Sequence, residues 1–381
     1  LLFLGDRRSA VTQRERARSI YLANRGADHP DTLKVSGDLA NGYDMLGRHD
    51  DAIALQSDTL ARRKTAFGAD DPSTLLAMMN LANAYLNLGQ FSRALELQEQ
   101  TLALQRSKLG RDHLDTLKTT NNLSITLARI GRHADALPLR EYTLAVRRAK
   151  LGPDHPETIG SMQNLAKVYY DLGRYADALA LHEQTLEVAR RVLGPRHPET
   201  IRTIHTISAD YLAMERYDDA IRAGEEAFSL RRDILGSTHA DTLGSMNNLG
   251  NAYERAGRAA DALRFREETL ALRQAGLGRD HPETLTSMSN LAVSYAAAGR
   301  HAEALALRQE TLALRRQRLG ADHPDTLLTL GQVAESLVRL DRPEEALPII
   351  DDCLARLAGR RPADPALHAW LTELRRSAAE E

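Results

Sequence analysis

Seven histidines occupy one place in a regular series, His29, His113, His155, His197, His239, His281 and His323, and most of them directly follow an aspartate. Imidazole next to carboxylate is metal-ligand chemistry, but ligands must converge on a single ion at about 2 Å. These side chains are 42 residues or a multiple of 42 apart, one per repeating unit, so the series predicts a structural role rather than a metal centre. No GxxxxGK(S/T), GxSxG, HExxH or CxxC pattern occurs, and no carboxylate pair stands out from the general run of charge. We therefore expect no catalytic site, no metal and no cofactor.

A second recurrent group carries hydrogen-bonding chemistry. Asn80, Asn122, Asn164, Asn248 and Asn290 share one place in the repeat, and Asn83, Asn121, Gln163, Asn247 and Asn251 stand beside it. Asparagine is a mediocre helix former, so its recurrence in the middle of a helix calls for a reason beyond local propensity. A side-chain amide offers both donor and acceptor, which suits it to holding the main chain of an extended peptide whatever that peptide's sequence. The other reading is that these amides bond one another, or the next helix, and keep neighbouring repeats in register.

The elements that must position these groups follow from the repeat itself. A threonine recurs at Thr32, Thr74, Thr116, Thr158, Thr200, Thr242, Thr284 and Thr326 without insertion or deletion. A period of 42 means stacked supersecondary units rather than one closed core. In the unit 151–192, Ile159, Met162, Leu165, Ala166, Tyr169 and Leu172 fall on one helical face and define a helix A. It opens at Asp154-His155-Pro156-Glu157, with proline in the first turn and an acidic residue at the positive end of the helix dipole. His155 is the expected N-cap, or Asp154 with Glu157 forms a capping box. Gly173 closes helix A, and equivalent glycines stand at 47, 89, 131, 257 and 299. Helix B runs from about 176 to 192. Alanine occupies one slot near its start in all eight units, Ala52, Ala94, Ala136, Ala178, Ala220, Ala262, Ala304 and Ala346, as expected where two helices cross closely.

Composition bounds the rest. With 43% hydrophobic and 27% charged residues and a formal net charge of −2, the chain has the make-up of a soluble folded protein and no overall pull toward nucleic acid or an anionic membrane. No stretch approaches the ~20 apolar residues of a membrane span, and Leu1-Leu2-Phe3-Leu4 lacks the basic flank of a signal peptide. Cys353 is the single cysteine, which excludes an internal disulfide and fits a cytoplasmic setting. Gly5 lies 42 residues before Gly47. Residues 1–27 are therefore expected to be the end of a helix A plus a helix B, in a piece of a longer polypeptide. Residues 28–359 form eight tandem repeats, with the pattern decaying at Asp341 and at Ala358-Gly359. Residues 360–381 carry a capping helix with Leu367, Trp370, Leu371 and Leu374 on one face. The fifth repeat departs at Glu215, at Gly224 and at His205-Thr206, where a local irregularity, a hinge or ordinary drift is expected.

Leu165-Ala166, Tyr169, Gly173-Arg174 and Ala178 resemble the tetratricopeptide repeat (TPR), and the 42-residue unit with Leu-Gly-x-Asp-His-Pro-(Asp/Glu)-Thr resembles its kinesin light chain type in particular. The resemblance covers about residues 5–357. It lacks the family's aromatic in helix B, replaced here by Gln98, His182 and Arg266. It implies an all-α fold, a right-handed superhelical solenoid of stacked antiparallel helix pairs, and a non-enzymatic scaffold that binds a protein or peptide. It also implies that helix A lines a concave groove, with the positions two, five, six, nine, twelve and thirteen after the marker threonine facing inward. The groove set is then Asn80, Asn83, Lys118, Asn121, Asn122, Arg129, Gln163, Asn164, Lys167, Arg202, Asn247, Asn248, Asn251 and Asn290. Lys118, Arg129, Lys167 and Arg202 make its centre mildly basic, with Asp38, Asp44 and Glu335 nearer the ends, so a peptide with acidic residues is the expected ligand. Arginine pairs late in helix B, Arg147-Arg148, Arg190-Arg191 and Arg231-Arg232, read as a solvated face rather than a nucleic-acid patch. Two alternatives stand beside peptide binding. One is a sensor or regulatory arm below an upstream domain of a nucleotide-switch (STAND-type) or other effector protein; the other is an architectural self-assembly module.

Overall fold

The computed structural model of the chain describes residues 2–358 and 364–380, with side chains from residue 7 onward. Among the described residues every element is an α-helix. After α1 (Leu2–Arg25), the A helices are α2 (Pro30–Met45), α4 (Pro72–Asn87), α6 (Leu114–Arg129), α8 (Pro156–Asp171), α10 (Pro198–Ala213), α12 (Ala240–Arg255), α14 (Pro282–Ala297) and α16 (Pro324–Val338). The B helices between them are α3 (His49–Phe67), α5 (Phe91–Leu109), α7 (His133–Leu151), α9 (Tyr175–Val192), α11 (Tyr217–Leu235), α13 (Ala259–Leu277), α15 (His301–Leu319) and α17 (Pro343–Ala358), and α18 (Pro365–Glu380) closes the series. Residues Leu1–Val188 and Ala189–Glu381 form two compact units, the division falling inside α9. Within each unit, successive helices lie antiparallel and pack mainly on their immediate neighbours in the chain.

The start of each A helix is set by its cap. His29, His113, His155, His197, His239, His281 and His323 each sit in extended backbone, and each ring Nδ1 accepts the backbone N–H two residues on at 3.2–3.3 Å. Asp71 does the same in the one repeat without histidine, at 2.8 Å. These groups satisfy a helix-end donor that would otherwise be orphaned. The histidine series thus caps the A helices. Among the described residues no three His, Cys, Asp or Glu side chains are gathered as a metal site.

The close of each A helix depends on one backbone conformation. At Gly173, φ is +74°, the N–H of Gly173 reaches the Tyr170 carbonyl and that of Arg174 reaches the Tyr169 carbonyl. Arg174 then lies over the Tyr169 ring, 4.3 Å from its centroid, and ion-pairs with Asp177, while the Tyr169 hydroxyl donates to Glu141 of the preceding B helix. The same tyrosine, arginine and carboxylate recur at Tyr43, Tyr253 and Tyr295. Glu215 and Asp341 take the glycine's place with φ +59°, a strained conformation for a residue with a Cβ.

The eight column alanines are buried to 1% exposure or less. Each therefore fills the point where helix B meets helix A and leaves no space for a larger side chain. At the other end, Leu367 and Leu371 of α18 enter the same core as Leu327, Leu330, Leu337, Ile350 and Leu357, with Trp370 and Leu374 partly buried against it.

One sequence expectation is corrected here. α1 runs unbroken through Gly5 instead of turning there. Of the alternatives open for the fifth repeat, its unbroken helices fit ordinary drift. α11 is continuous through Gly224, whose missing side chain admits the next A helix: a Cβ there would lie 2.9 Å from Leu249 Cδ2 and 3.2 Å from Ser208 Oγ. Gly359 and the expected change of pattern there lie outside the described residues.

Candidate functional site: the helix A amide stripe

Burial sorts each A helix into two faces. In α8, Thr158, Ile159, Ser161, Met162, Leu165, Ala166 and Val168 are buried, whereas Gly160, Gln163, Asn164, Lys167, Tyr170 and Asp171 are half-buried or exposed. Those spacings of three and four residues place the second set on one stripe, at positions two, five, six, nine, twelve and thirteen. Asn80, Asn83, Asn121, Asn122, Gln163, Asn164, Asn247, Asn251 and Asn290 are all half-buried on this stripe. Asn248, Lys118, Arg129, Lys167 and Arg202 are exposed on it.

The structure brings most of these amides together in pairs. Asn164 Nδ2 donates to Asn121 Oδ1 of the repeat before (3.3 Å) and Asn290 Nδ2 to Asn247 Oδ1 (2.7 Å), position six to position five in each case. Asn122 Nδ2 reaches Asn83 Oδ1 at 3.4 Å. In the fifth repeat His205 takes position five, and its Nε2 lies 3.0 Å from Asn248 Nδ2. The lapse in the repeat pattern there is thus the replacement of one acceptor by another. Each bond uses one donor of one amide and one acceptor of the other; an amide has two of each, so hydrogen-bonding capacity remains on both. Asn251 Oδ1 is held from behind by Arg266 at 2.7 Å, and Asn80 lines a cleft between α2 and α4.

The cations are less free than their types suggest. Lys118 pairs with Asp115 at 3.5 Å, Lys167 bonds Asp171, and Arg202 bonds Glu199, all within the same helix. The net positive charge inferred for this stretch is therefore largely compensated. Arg129 alone in the set makes no ion pair or hydrogen bond among the described residues.

Behind the stripe lies a column whose members Gln98, His182 and Arg266 stand out in sequence only as replacements of the family's aromatic. Gln56, Gln98, Arg140, His182, Gly224, Arg266, Arg308 and Ile350 share one position in helix B, where the family's aromatic was missed, and all the side chains in it are buried to 5% exposure or less. Arg140 donates from Nε to Ser124 Oγ (3.1 Å) and from Nη1 to the Asn164 carbonyl. Arg266 reaches the Asn290 carbonyl (2.6 Å), Asn251, Ser294 and Glu254 (2.7 Å). Arg308 reaches the Gln332 carbonyl, Ser336 and Glu335. The arginines thus fix the backbone of position six from the core side while the amide pairs fix its side chain. Burial pushes the Arg140 guanidinium down to about 10, partly offset by Asp171. The signal that could have found this column is the recurrence of long polar residues on a helix face otherwise built for burial.

A second column corrects the solvated-face reading for Arg147 and Arg231. Arg147 donates to Ser161 Oγ (2.8 Å) and to the Glu157 carbonyl; Arg231, Arg273 and Arg315 make the equivalent bonds to the next A helix. Arg147 is 6% exposed and Arg231 half-buried, whereas Arg148, Arg190, Arg191 and Arg232 face solvent. Side chains that reach across to a neighbouring helix are pinned by its first-turn carbonyls.

His205 gives the stripe a pH dependence. Burial, with Arg231 adding to it, pushes its imidazolium down to about 4 from an ordinary value near 6.5. The unfolded chain therefore takes up this proton first. The stabilising contribution is complete above about pH 6.5 and is lost as pH falls toward 4, at most about 3 kcal/mol in all. Urea unfolding between pH 7.5 and 5 is expected to show a smaller loss of stability in His205→Gln than in the parent chain. Parallel curves would overturn the assignment.

The tetratricopeptide repeat family profile matches residues 1–65, 73–141, 115–188, 160–233, 241–317 and 283–358. Among solved structures, the nearly identical TPR-like repeats of a candidate kinesin light chain from Podosopora anserina are 26% identical, with a TM-score of 0.51 over 54% of this chain and 98% of that one. BtubC from P. vanneervenii is 21% identical, with a TM-score of 0.53 over 61% of this chain and 94% of that one. The signal transduction ATPase with numerous domains from Pyrococcus horikoshii, which has a tetratricopeptide repeat sensor, is 15% identical, with a TM-score of 0.61 over 97% of this chain and 55% of that one. The last two likenesses concern the fold alone. No curated protein matches the chain.

Proposed function

The chain belongs to the tetratricopeptide repeat family, whose repeats mediate protein–protein interaction, and from that premise we propose that the helix A stripe binds the main chain of a partner peptide. The observation that carries the reading is the amide pairing. Asn121, Asn164, Asn247 and Asn290 are pre-oriented by their bonds across repeats, half-buried, and each still has donor or acceptor capacity to offer. Groups already fixed in place lose little entropy on binding. The peptide's acidic residues, in this reading, meet Arg129 first, and Lys118, Lys167 and Arg202 by exchanging their carboxylate partners. We place this work in the cytoplasm, as a binding scaffold rather than an enzyme.

The test is capture of partners by the whole chain and by Asn122→Ala, Asn164→Ala, Asn248→Ala combined. Because these residues also bond their neighbours, the midpoint of thermal unfolding is read on the same samples. The expected result is loss of partners with the midpoint lowered by only a few degrees, since the three hydrogen bonds removed, two half-buried and one exposed, contribute roughly 1 kcal/mol each. A large fall in midpoint with partners retained would show the amides to be structural only. A regulatory arm remains the second reading, and a nucleotide-binding motif in sequence preceding this segment would favour it.

A further inference from the structure

We propose that the cleft between α2 and α4 is a subsite for a primary ammonium group, the side chain of a lysine in the bound peptide; this rests on the peptide-binding reading and adds to it the chemistry of one residue. The cleft has a volume of about 460 Å³, and its polar lining is Asn41, Asp44, Gln56, Asn80, Asn83 and Asn87. No lysine or arginine lines it.

What marks it as a site is an unsatisfied acceptor. Gln56 is 1% exposed, its Nε2 donates to Asn41 Oδ1 (2.9 Å) and faces the Gly37 carbonyl (3.5 Å), and its Oε1 has no partner. The orientation of this amide is fixed by Gly37, because a main-chain carbonyl can only accept and the end facing it must be the NH2. A buried acceptor left unmet costs free energy that a ligand donor would recover. The carboxylate of Asp44 points the same way. It takes one bond per oxygen, His49 Nδ1 at 2.7 Å and Asn87 Nδ2 at 2.6 Å, so further lone pairs remain.

An ammonium group fits these conditions: three donors, one positive charge for the one carboxylate, and a slim apolar stem for the wall of Ala40, Ala52, Ala84 and Leu86. Where the third, sixth and seventh repeats put Arg140, Arg266 and Arg308, the first repeat has Gln56, so no guanidinium from the core side enters this cleft.

The experiment uses the full chain labelled with 15N-asparagine and two probes, N-acetyl-lysine N-methylamide and its norleucine analogue. Saturable shifts of the Asn41, Asn80, Asn83 and Asn87 side-chain amide signals are expected with the lysine probe. Asp44→Asn should weaken that binding about tenfold, as loss of one charge-assisted contact implies, and Gln56→Met should weaken it further. Equal shifts with the norleucine probe, or unchanged affinity in Asp44→Asn, would overturn the proposal. The two readings fail separately. A lysine probe without effect, in a chain whose partners depend on the asparagine triple, removes the subsite and leaves the peptide groove. Probe binding at the cleft, in a chain whose partners ignore the triple, removes the groove and leaves an ammonium site.

Discussion

Replacing Arg266 with alanine is expected to lower the stability of its unit by about 3–5 kcal/mol, the range for breaking a buried ion pair from one side. Four partners lose their donor at once: Glu254, Asn251, Ser294 and the Asn290 carbonyl. The vacated space adds to the loss, because Arg266 packs over Gly250, where even a Cβ would stand 3.1 Å from Arg266 Cγ. Urea unfolding followed by circular dichroism measures it. The control is Arg266→Met with Glu254→Gln, which removes both charges and keeps most of the volume. Most of the stability should return in that pair. If Arg266→Ala alone proved as stable as the parent chain, the arginine would be an ornament of the fold and not one of its ties.

The second large effect is expected at Gly331. A Cβ there would lie 2.6 Å from Trp370 Cζ3 and 2.9 Å from Leu371 Cδ2, below any ordinary contact, and both side chains pack in the core that α18 shares with α16. Gly331→Val should therefore displace α18 from α16, exposing Leu367 and Leu371 and lowering stability by about 3 kcal/mol, the upper part of the range for overpacking. Trp370 is the chain's one tryptophan, so its emission reports this event without labelling. A red shift and faster proteolysis near α18 are expected, with the far-ultraviolet signal of the other helices kept. An unmoved emission maximum would mean that α18 accommodates the side chain.

These two sites show where the sequence could be read and where it could not. The repeat, the helix pair, the capping histidines and the alanine crossing are local patterns, and local patterns survive in one dimension. His155 beside Pro156 announces a helix start whatever lies around it, and Ala178 announces a close crossing by recurring. The roles of Arg147 and Arg266 depend on what arrives from the next repeat. In sequence each is one more arginine in an arginine-rich helix, and only Ser161 or Glu254, brought alongside by stacking, makes it a buried tie. The amide stripe stands between these cases. Its residues were legible by recurrence, but the sequence left open whether the amides meet a ligand or one another. The pairs Asn121–Asn164 and Asn247–Asn290 show that they do meet one another, and pairing of this kind still leaves capacity for a guest.

The uneven column in helix B bears on a hazard that near-identical modules bring with them. A chain made of copies can join the wrong copies during folding, since every alanine crossing and every capped helix start would accept any other. Arg266 needs Glu254 and Arg308 needs Glu335, while Gly224 must receive Leu249, and Gln56, His182 and Ile350 each present a different shape. A helix pair that skipped one place would bury a cation with no carboxylate or press a guanidinium into the space meant for a leucine. The mixture of residues at this position thus acts as an address, giving each copy its own place in the order and making mistaken joins unfavourable.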